Sequence, residues 1–171
     1  NGKLNRIKVR SRIYLDTGQC YFEVKLKTNK DRTIKKRIKQ DGLQECISDS
    51  QAILLTTLTP YSPDMLSPVI WVNSSRITLV NHAMTERITM DTRLHFRQEG
   101  KEAGYPQVII AEIKQNRTAG SLFHKVLHNN HINKLSISKY CLGVITLDPK
   151  IKQNRFKEKF IQINKINHDT Y

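Results

Sequence analysis

The chain has 171 residues, 38% of them hydrophobic and 26% charged, with a mean hydropathy of −0.52. That length predicts one domain, and the apolar fraction is enough for a packed core, which argues against full disorder. The longest apolar stretches, around Ala52–Leu55 and Val108–Ile113, are far short of the roughly 18 residues of a membrane span, so no transmembrane segment is expected.

The formal net charge is +14, and it is unevenly placed. Residues 1–39 carry 13 basic and three acidic side chains; residues 40–171 carry 16 and 12. A basic block of this kind calls for a polyanionic partner such as nucleic acid, anionic lipid or a phosphate chain. The three cysteines, Cys20, Cys46 and Cys141, are odd in number and widely spaced. They form neither a disulfide framework nor a CxxC metal site, and the expectation is reduced thiols in a cytoplasmic protein. The sequence opens at Asn1 directly in strand-like residues, without a signal peptide, which predicts that an amino-terminal part of the domain precedes it.

From Arg6 to Tyr14, Arg6, Lys8, Arg10 and Arg12 alternate with Ile7, Val9 and Ile13. Period-2 alternation places the two sets on opposite faces of a strand. After a turn at Asp16-Thr17-Gly18, residues Cys20–Lys27 repeat the pattern, with Tyr21, Glu23, Lys25 and Lys27 opposite Cys20, Phe22, Val24 and Leu26. A turn at Asn29–Asp31 leads to a third strand over Arg32–Lys39, where Lys35 and Arg37 oppose Ile34 and Ile38. The prediction is an antiparallel meander with one apolar face and one cationic face.

Gln44–Thr57 reads as a helix, followed by a loop punctuated by Pro60, Pro63 and Pro68. Strands are expected over Ile70–Val80, Thr85–Phe96 and Gln107–Gln115, with turns at Asn81-His82 and Gly100–Gly104. Ser121–Asn130 reads as a second helix capped by Thr118 or Ser121. Ile137–Leu147 fits strand or helix, and the basic tail over residues 148–171 is weakly patterned.

Three adjacent cationic strands make a sheet face of almost one sign, which repels itself unless anions lie on it. Two arrangements satisfy that demand: an open surface laid on nucleic acid, or a closed barrel binding polyphosphate inside. The later strands favour the barrel. Arg76 shares a parity with Ser74 and Thr78; Arg87 shares one with Thr89, Asp91 and Arg93; Glu112 and Lys114 share one with Val108 and Ile110. Single charges in apolar strands fit polar groups pointing into a wet lumen. Pairing of Glu112 with Lys114 looks poor, because residues i and i+2 lie about 6.5–7 Å apart along a strand. A cross-strand Arg is the better structural partner. Of the histidines, only His124 and His128 have ligand-like spacing, at i,i+4 on the predicted helix.

The ordered series KVRSRIY, CYFEVKLK, TIKKRI, ERITMD, AEIKQ and SKYCLG resembles the VTC polyphosphate polymerase domain of the triphosphate tunnel metalloenzymes (the CYTH superfamily) over about Arg6 to Lys159. The tail, NRFKEKF, is similar to bacterial members. The resemblance implies a mainly β, α+β fold in a single tunnel-type domain spanning 1–171: an antiparallel β-barrel with a few flanking helices, lacking its earliest strands. It implies an ATP-dependent phosphotransferase that adds the γ-phosphate of ATP to inorganic polyphosphate with Mn²⁺ or Mg²⁺. Carried over by motif, Arg10, Arg12, Lys25, Lys35, Arg37, Arg76, Arg87, Lys114, Ser138 and Lys139 are phosphate ligands. Glu112 is the metal ligand, with Glu23 a second candidate. Position 74 departs from the pattern: it is Ser where members carry Tyr.

Phosphoryl transfer asks a protein for positioning and charge neutralisation, which basic side chains and a hard cation supply without a nucleophile. The alternatives are a non-catalytic domain that binds or senses polyphosphate or nucleotide, a triphosphatase, and a nucleic-acid module. The last would place aromatic platforms among the basic residues, and only Tyr14 and Tyr21 share the cationic parity, so nucleic acid is not the expected partner. The apolar faces, including Val9, Ile13, Phe22, Val24, Leu26 and Ile38, are expected to be covered by the two predicted helices or by neighbouring loops.

Overall fold

Alternating branched apolar and basic residues favour extended chain, and the first 40 residues adopt it. The computed structural model describes residues 5–30, 32–115 and 121–168. It begins with β1 (Arg6–Ile13), β2 (Cys20–Lys27) and β3 (Thr33–Gln40), an antiparallel sheet in the order β1-β2-β3. Gly18 at φ +65 provides the left-handed residue of the β1–β2 turn, where the Tyr14 amide donates to the Gln19 carbonyl. Asp31, the last residue of the second expected turn, lies outside the described residues. The chain divides into two compact units, Asn1–Pro68 and Val69–Tyr171.

In the first unit, the register sorts the side chains by charge. The rows Arg6–Lys27–Thr33, Lys8–Lys25–Lys35, Arg10–Glu23–Arg37 and Arg12–Tyr21–Lys39 cross one face. The other face carries Val9, Phe22, Val24, Leu26 and Ile38, and α1 (Asp49–Leu58) covers it. Phe22, Val24 and Leu55 are buried, with Leu54 and Leu58 packed beside them. The helix starts at Asp49 rather than Gln44 because Ser48 is its cap: the Ser48 amide donates to Gln51 Oε1 at 3.2 Å. Gln51 is buried but satisfied, donating to Gln40 Oε1 at 2.7 Å and Gln44 Oε1 at 3.1 Å. Those bonds pin the helix start to the end of β3.

In the second unit, β4 (Trp71–Val80) pairs along one edge of the long β5 (Glu86–Gln98). Two strands share the other edge end to end: β6 (Lys101–Tyr105) on the carboxyl half and β7 (Ile110–Gln115) on the amino half. Among the described residues all pairings are antiparallel, and the strands of each unit form an open sheet. Two further helices, α3 (Lys139–Leu147) and α4 (Lys157–His168), close the core with Leu94, Phe96, Tyr105, Val108, Leu142, Leu147 and Ile163. The described chain is therefore an α+β fold of antiparallel sheets with four helices, none long and apolar enough to cross a membrane.

Several expectations need correction. Gly100–Gly104 is not a turn: a two-residue turn at Glu99-Gly100, both at positive φ, feeds β6. The strand expected from Gln107 begins only at Ile110, and the weakly patterned tail contains α4. Ile137–Leu147 resolves as a helix because Ser138 caps it, accepting from the Cys141 amide. The helix expected over Ser121–Asn130 forms, as α2 (Leu122–Asn129) capped by Ser121, but none of its residues is buried. In this unit the covering helices are α3 and α4. Thr118, the alternative cap, lies outside the described residues.

Helix α3 packs closely on the sheet because it has no side chain at Gly143. A Cβ there would meet Phe96 at 2.4 Å and Ile70 at 2.7 Å. In an open helix, Gly→Ala gains up to about 1 kcal/mol; here overpacking outweighs that gain. Gly143→Ala is expected to destabilise the protein by about 1–3 kcal/mol, read as a lowered midpoint in urea unfolding.

Candidate functional site

The cationic face of the first sheet is organised around one carboxylate. Glu23 is 2% exposed. Its Oε2 accepts from Arg10 Nε at 2.7 Å, and its Oε1 lies 2.7 Å from Lys35 Nζ. Arg10 on β1 faces Glu23 directly across the β1–β2 ladder, whereas Lys35 reaches it diagonally from β3. Arg37 is the residue directly opposite, yet its guanidinium rests over the Tyr21 ring, 4.5 Å from the centroid. Arg12 donates to Tyr14 Oη at 2.9 Å. Lys25, between Lys8 and Lys35 in the row, is exposed. Arg10, Arg12, Lys25, Lys35 and Arg37 therefore share one face, as the alternation predicted.

The second unit repeats the motif of one carboxylate gripped by an Arg and a Lys. Asp91 is 4% exposed and accepts from Arg76 twice, at 2.6 Å from Nε and 2.8 Å from Nη2. Lys139 Nζ, in the first turn of α3, adds a third bond at 2.6 Å and also lies 3.1 Å from Ser74 Oγ. Beyond this clamp, the register places Thr78, Thr89 and Glu112 in one row and Val80, Arg87 and Lys114 in the next. Arg76, Arg87, Glu112, Lys114 and Lys139 thus gather on one polar face of one sheet. Arg87 and Lys114 line a shallow open depression with Val80 and Met84. Ser138 caps the helix that carries Lys139, which sets the helix amino terminus beside the same clamp.

A β-bulge makes that face work. Between Asn73 and Ser75 the register slips, and Arg93 takes φ +52. The extra residue in β5 moves Arg93 off the parity of Arg87 and Asp91, and brings Leu94 and Phe96 onto it. One face of β5 then carries polar groups at one end and offers apolar groups to α3 at the other. Arg93 was expected on the polar parity; the bulge removes it.

Glu112 also departs from expectation. Its side chain is 58% exposed, its direct cross-strand neighbour is Thr89, and its ion pair is with Lys114 at 3.4 Å. Side chains two apart on one face lean along the strand, which closes the backbone spacing. Glu23 and Asp91 have both oxygens engaged by short bonds, so Glu112 is the accessible carboxylate of these polar faces among the described residues. As a hard oxygen donor beside basic residues, it fits a Mg²⁺ or Mn²⁺ that brings phosphate oxygens and water as its other ligands. A cage built only of protein is not formed: no group of three His, Cys, Asp or Glu gathers among the described residues, the His124/His128 pair included.

The functional side chain that sequence reasoning missed is Asp91. Its signal was present, an acidic residue on the parity of Arg87, but the partners that bury it come from β4 and α3, far apart in the chain.

A family model for the VTC domain matches residues 1–148. The chain belongs to the VTC domain family. That membership connects it with polyphosphate chemistry, and the match runs through both sheets. None of the curated proteins and none of the solved structures compared with the chain matches it.

The two clamped carboxylates set the response to acid. Burial pushes the Glu23 carboxyl up, but the hydrogen bond from Lys35, the charge and hydrogen bond of Arg10, and the charge of Lys35 outweigh it, holding the pKa at about 2 against an ordinary 4.5. Asp91 is likewise raised by burial and lowered further by its bonds to Arg76 and Lys139 and by their charges. A depressed carboxylate contributes stability above its unfolded pKa and loses it as pH falls through the folded one. Thermal unfolding followed from pH 7 to pH 2 is expected to show falling stability below 4.5. Glu23→Gln should flatten that slope and cost about 1–3 kcal/mol at pH 7, the lower range applying because both cations are partly solvated.

Proposed function

We propose that this chain is a polyphosphate polymerase-type domain that binds ATP and inorganic polyphosphate, triphosphate being the shortest such chain. The observation that carries the proposal is the face of β1-β2-β3: four rows of basic side chains across three strands, with Glu23 as the only acid among them. Such a face is self-repelling until a polyanion lies on it. Arg10, Arg12 and Arg37 supply planar forks suited to phosphate oxygens, and Lys25 and Lys35 supply compact charges. In the second unit, Arg76, Arg87, Lys114, Ser138 and Lys139 are the phosphate-binding set of the same proposal, and a tunnel-type barrel belongs to it.

The reaction proposed is transfer of the terminal phosphoryl group of ATP to the end of a polyphosphate chain. An oxygen of the chain's terminal phosphate bonds to the γ-phosphorus as the bond to the β,γ-bridging oxygen breaks, and ADP leaves. The basic side chains hold donor and acceptor in line and neutralise the charge spread over the equatorial oxygens. A Mn²⁺ or Mg²⁺ held at Glu112 would add charge neutralisation between the phosphates. A cytoplasmic setting, which supplies ATP, belongs to the same proposal.

One observation favours a second reading, a domain that binds or senses polyphosphate without turnover. Ser74 is short, and its hydroxyl lies against Lys139 at 3.1 Å rather than standing free beside Arg76.

The protein incubated with ATP and Mn²⁺ is expected to yield acid-insoluble polyphosphate and ADP. Free phosphate without polymer would point to a triphosphatase, and tight binding with neither product to the sensing domain. Glu112→Gln should lose about tenfold or more of the Mn²⁺-dependent turnover, while nucleotide binding measured without metal stays at the wild-type level. Full turnover of that variant at limiting Mn²⁺ would end the metal assignment.

A further inference from the structure

One cluster on the cationic face is unlike the rest of it. At the end nearest the β1–β2 turn, Tyr14 and Tyr21 meet edge to face, with ring centroids 6.4 Å apart. Each carries a guanidinium: Arg12 lies 5.6 Å from the Tyr14 centroid, and Arg37 lies 4.5 Å from the Tyr21 centroid. Gln19 accepts a hydrogen bond from Tyr21 Oη at 3.0 Å and steadies the ring. Arg37 is exposed although its direct cross-strand neighbour is the Glu23 carboxylate. With both Glu23 oxygens taken by Arg10 and Lys35, it stacks on an aromatic ring instead.

A linear phosphate chain gains nothing from aromatic rings. A nucleobase does, since it stacks on tyrosine faces and on guanidinium planes. Spacing along the sheet supports the same occupant. Tyr21 lies two residues from Glu23 and four from Lys25 on β2, so the aromatic cluster stands about 7–13 Å from the rows that Arg10, Lys25 and Lys35 occupy. That span matches the distance from the base of a nucleoside triphosphate to its phosphates.

We propose that Tyr14, Tyr21 and the stacked Arg37 form a nucleobase site at one end of the basic face, so that this end receives the nucleotide donor, base outward and phosphates toward Lys25 and Lys35. The inference rests on the phosphate-binding reading of that face and adds its polarity: nucleotide at the turn end, bare phosphate chain beyond. The cluster selects a nucleoside triphosphate over inorganic tripolyphosphate, and because stacking tolerates every base, it discriminates weakly among bases.

The test compares the affinities of ATP and tripolyphosphate by calorimetry, without metal, for the wild-type chain, Tyr21→Leu and Tyr21→Phe. Tyr21→Leu is expected to lose about tenfold in affinity for ATP and to keep its affinity for tripolyphosphate, whereas Tyr21→Phe, which retains the ring, stays near wild type for both. Equal losses for the two ligands would overturn the site and reduce Tyr21 to a support for Arg37. No change for either ligand would overturn it as well. Wild-type protein that fails to bind tripolyphosphate would sink the phosphate reading itself, and the nucleobase site with it. If Tyr21→Leu does not fold, the fluorescence of 2-aminopurine riboside triphosphate on the wild-type chain decides: stacking should quench it on binding, and unchanged emission with bound ligand would overturn the proposal.

Discussion

Like-charge repulsion across a β-sheet is the constraint on which this structure turns. Basic side chains in adjacent strands sit about 5 Å apart when directly opposed, and the row Lys8–Lys25–Lys35 opposes three of them. The face is tolerable because Glu23 draws Arg10 and Lys35 inward, leaving Lys25 exposed and sending Arg37 to Tyr21. The opposite face, with Phe22 and Val24 buried under α1, supplies the packing energy that holds the strands in register despite the charge. Sheet formation and charge density are thus coupled: the same pairing that buries the apolar face concentrates the cations.

The second sheet solves the same problem with a different device. Asp91 gathers an Arg from β4 and a Lys from α3, so the clamp is complete only with the helix docked. Docking in turn depends on the bulge at Arg93, which brings Phe96 onto the clamp's face, and on Gly143, which lets α3 approach Phe96. A backbone irregularity, a missing side chain and a buried carboxylate therefore act in series to place Lys139. Membership of the VTC domain family ties the chain to polyphosphate chemistry, and phosphate is the ligand class proposed for these cations.

Both buried carboxylates are counterions that the proposed phosphate ligand would meet. Each holds an Arg and a Lys at fixed separation before ligand arrives, which lowers the reorganisation needed on binding. Each also cancels part of the positive charge, so weakly charged anions gain little. Glu112, exposed and loosely paired to Lys114, is the contrasting case, a carboxylate left accessible and so the one proposed to hold a hard cation.

Period-2 alternation in residues 6–40 determined the first sheet and its cationic face by itself, because strand parity depends only on local backbone geometry. The same rule put Arg76, Arg87, Glu112 and Lys114 on the polar parities that the register bears out. Parity failed at Arg93, where one inserted residue exchanges the faces, and it was silent on β6, a five-residue strand whose glycine resembles a turn signal. Local spacing also argued against the Glu112–Lys114 pair, since Cα separation ignores how side chains lean. What only the tertiary structure decided is which charges are paired. Arg10 with Glu23, Arg76 with Asp91, and Lys139 with Asp91 lie 13, 15 and 48 residues apart, and cross-strand register and helix docking bring them together. A sequence pattern can assign a charge to a face; whether that charge faces water, a counterion or a ring is settled by neighbours that arrive from elsewhere in the chain.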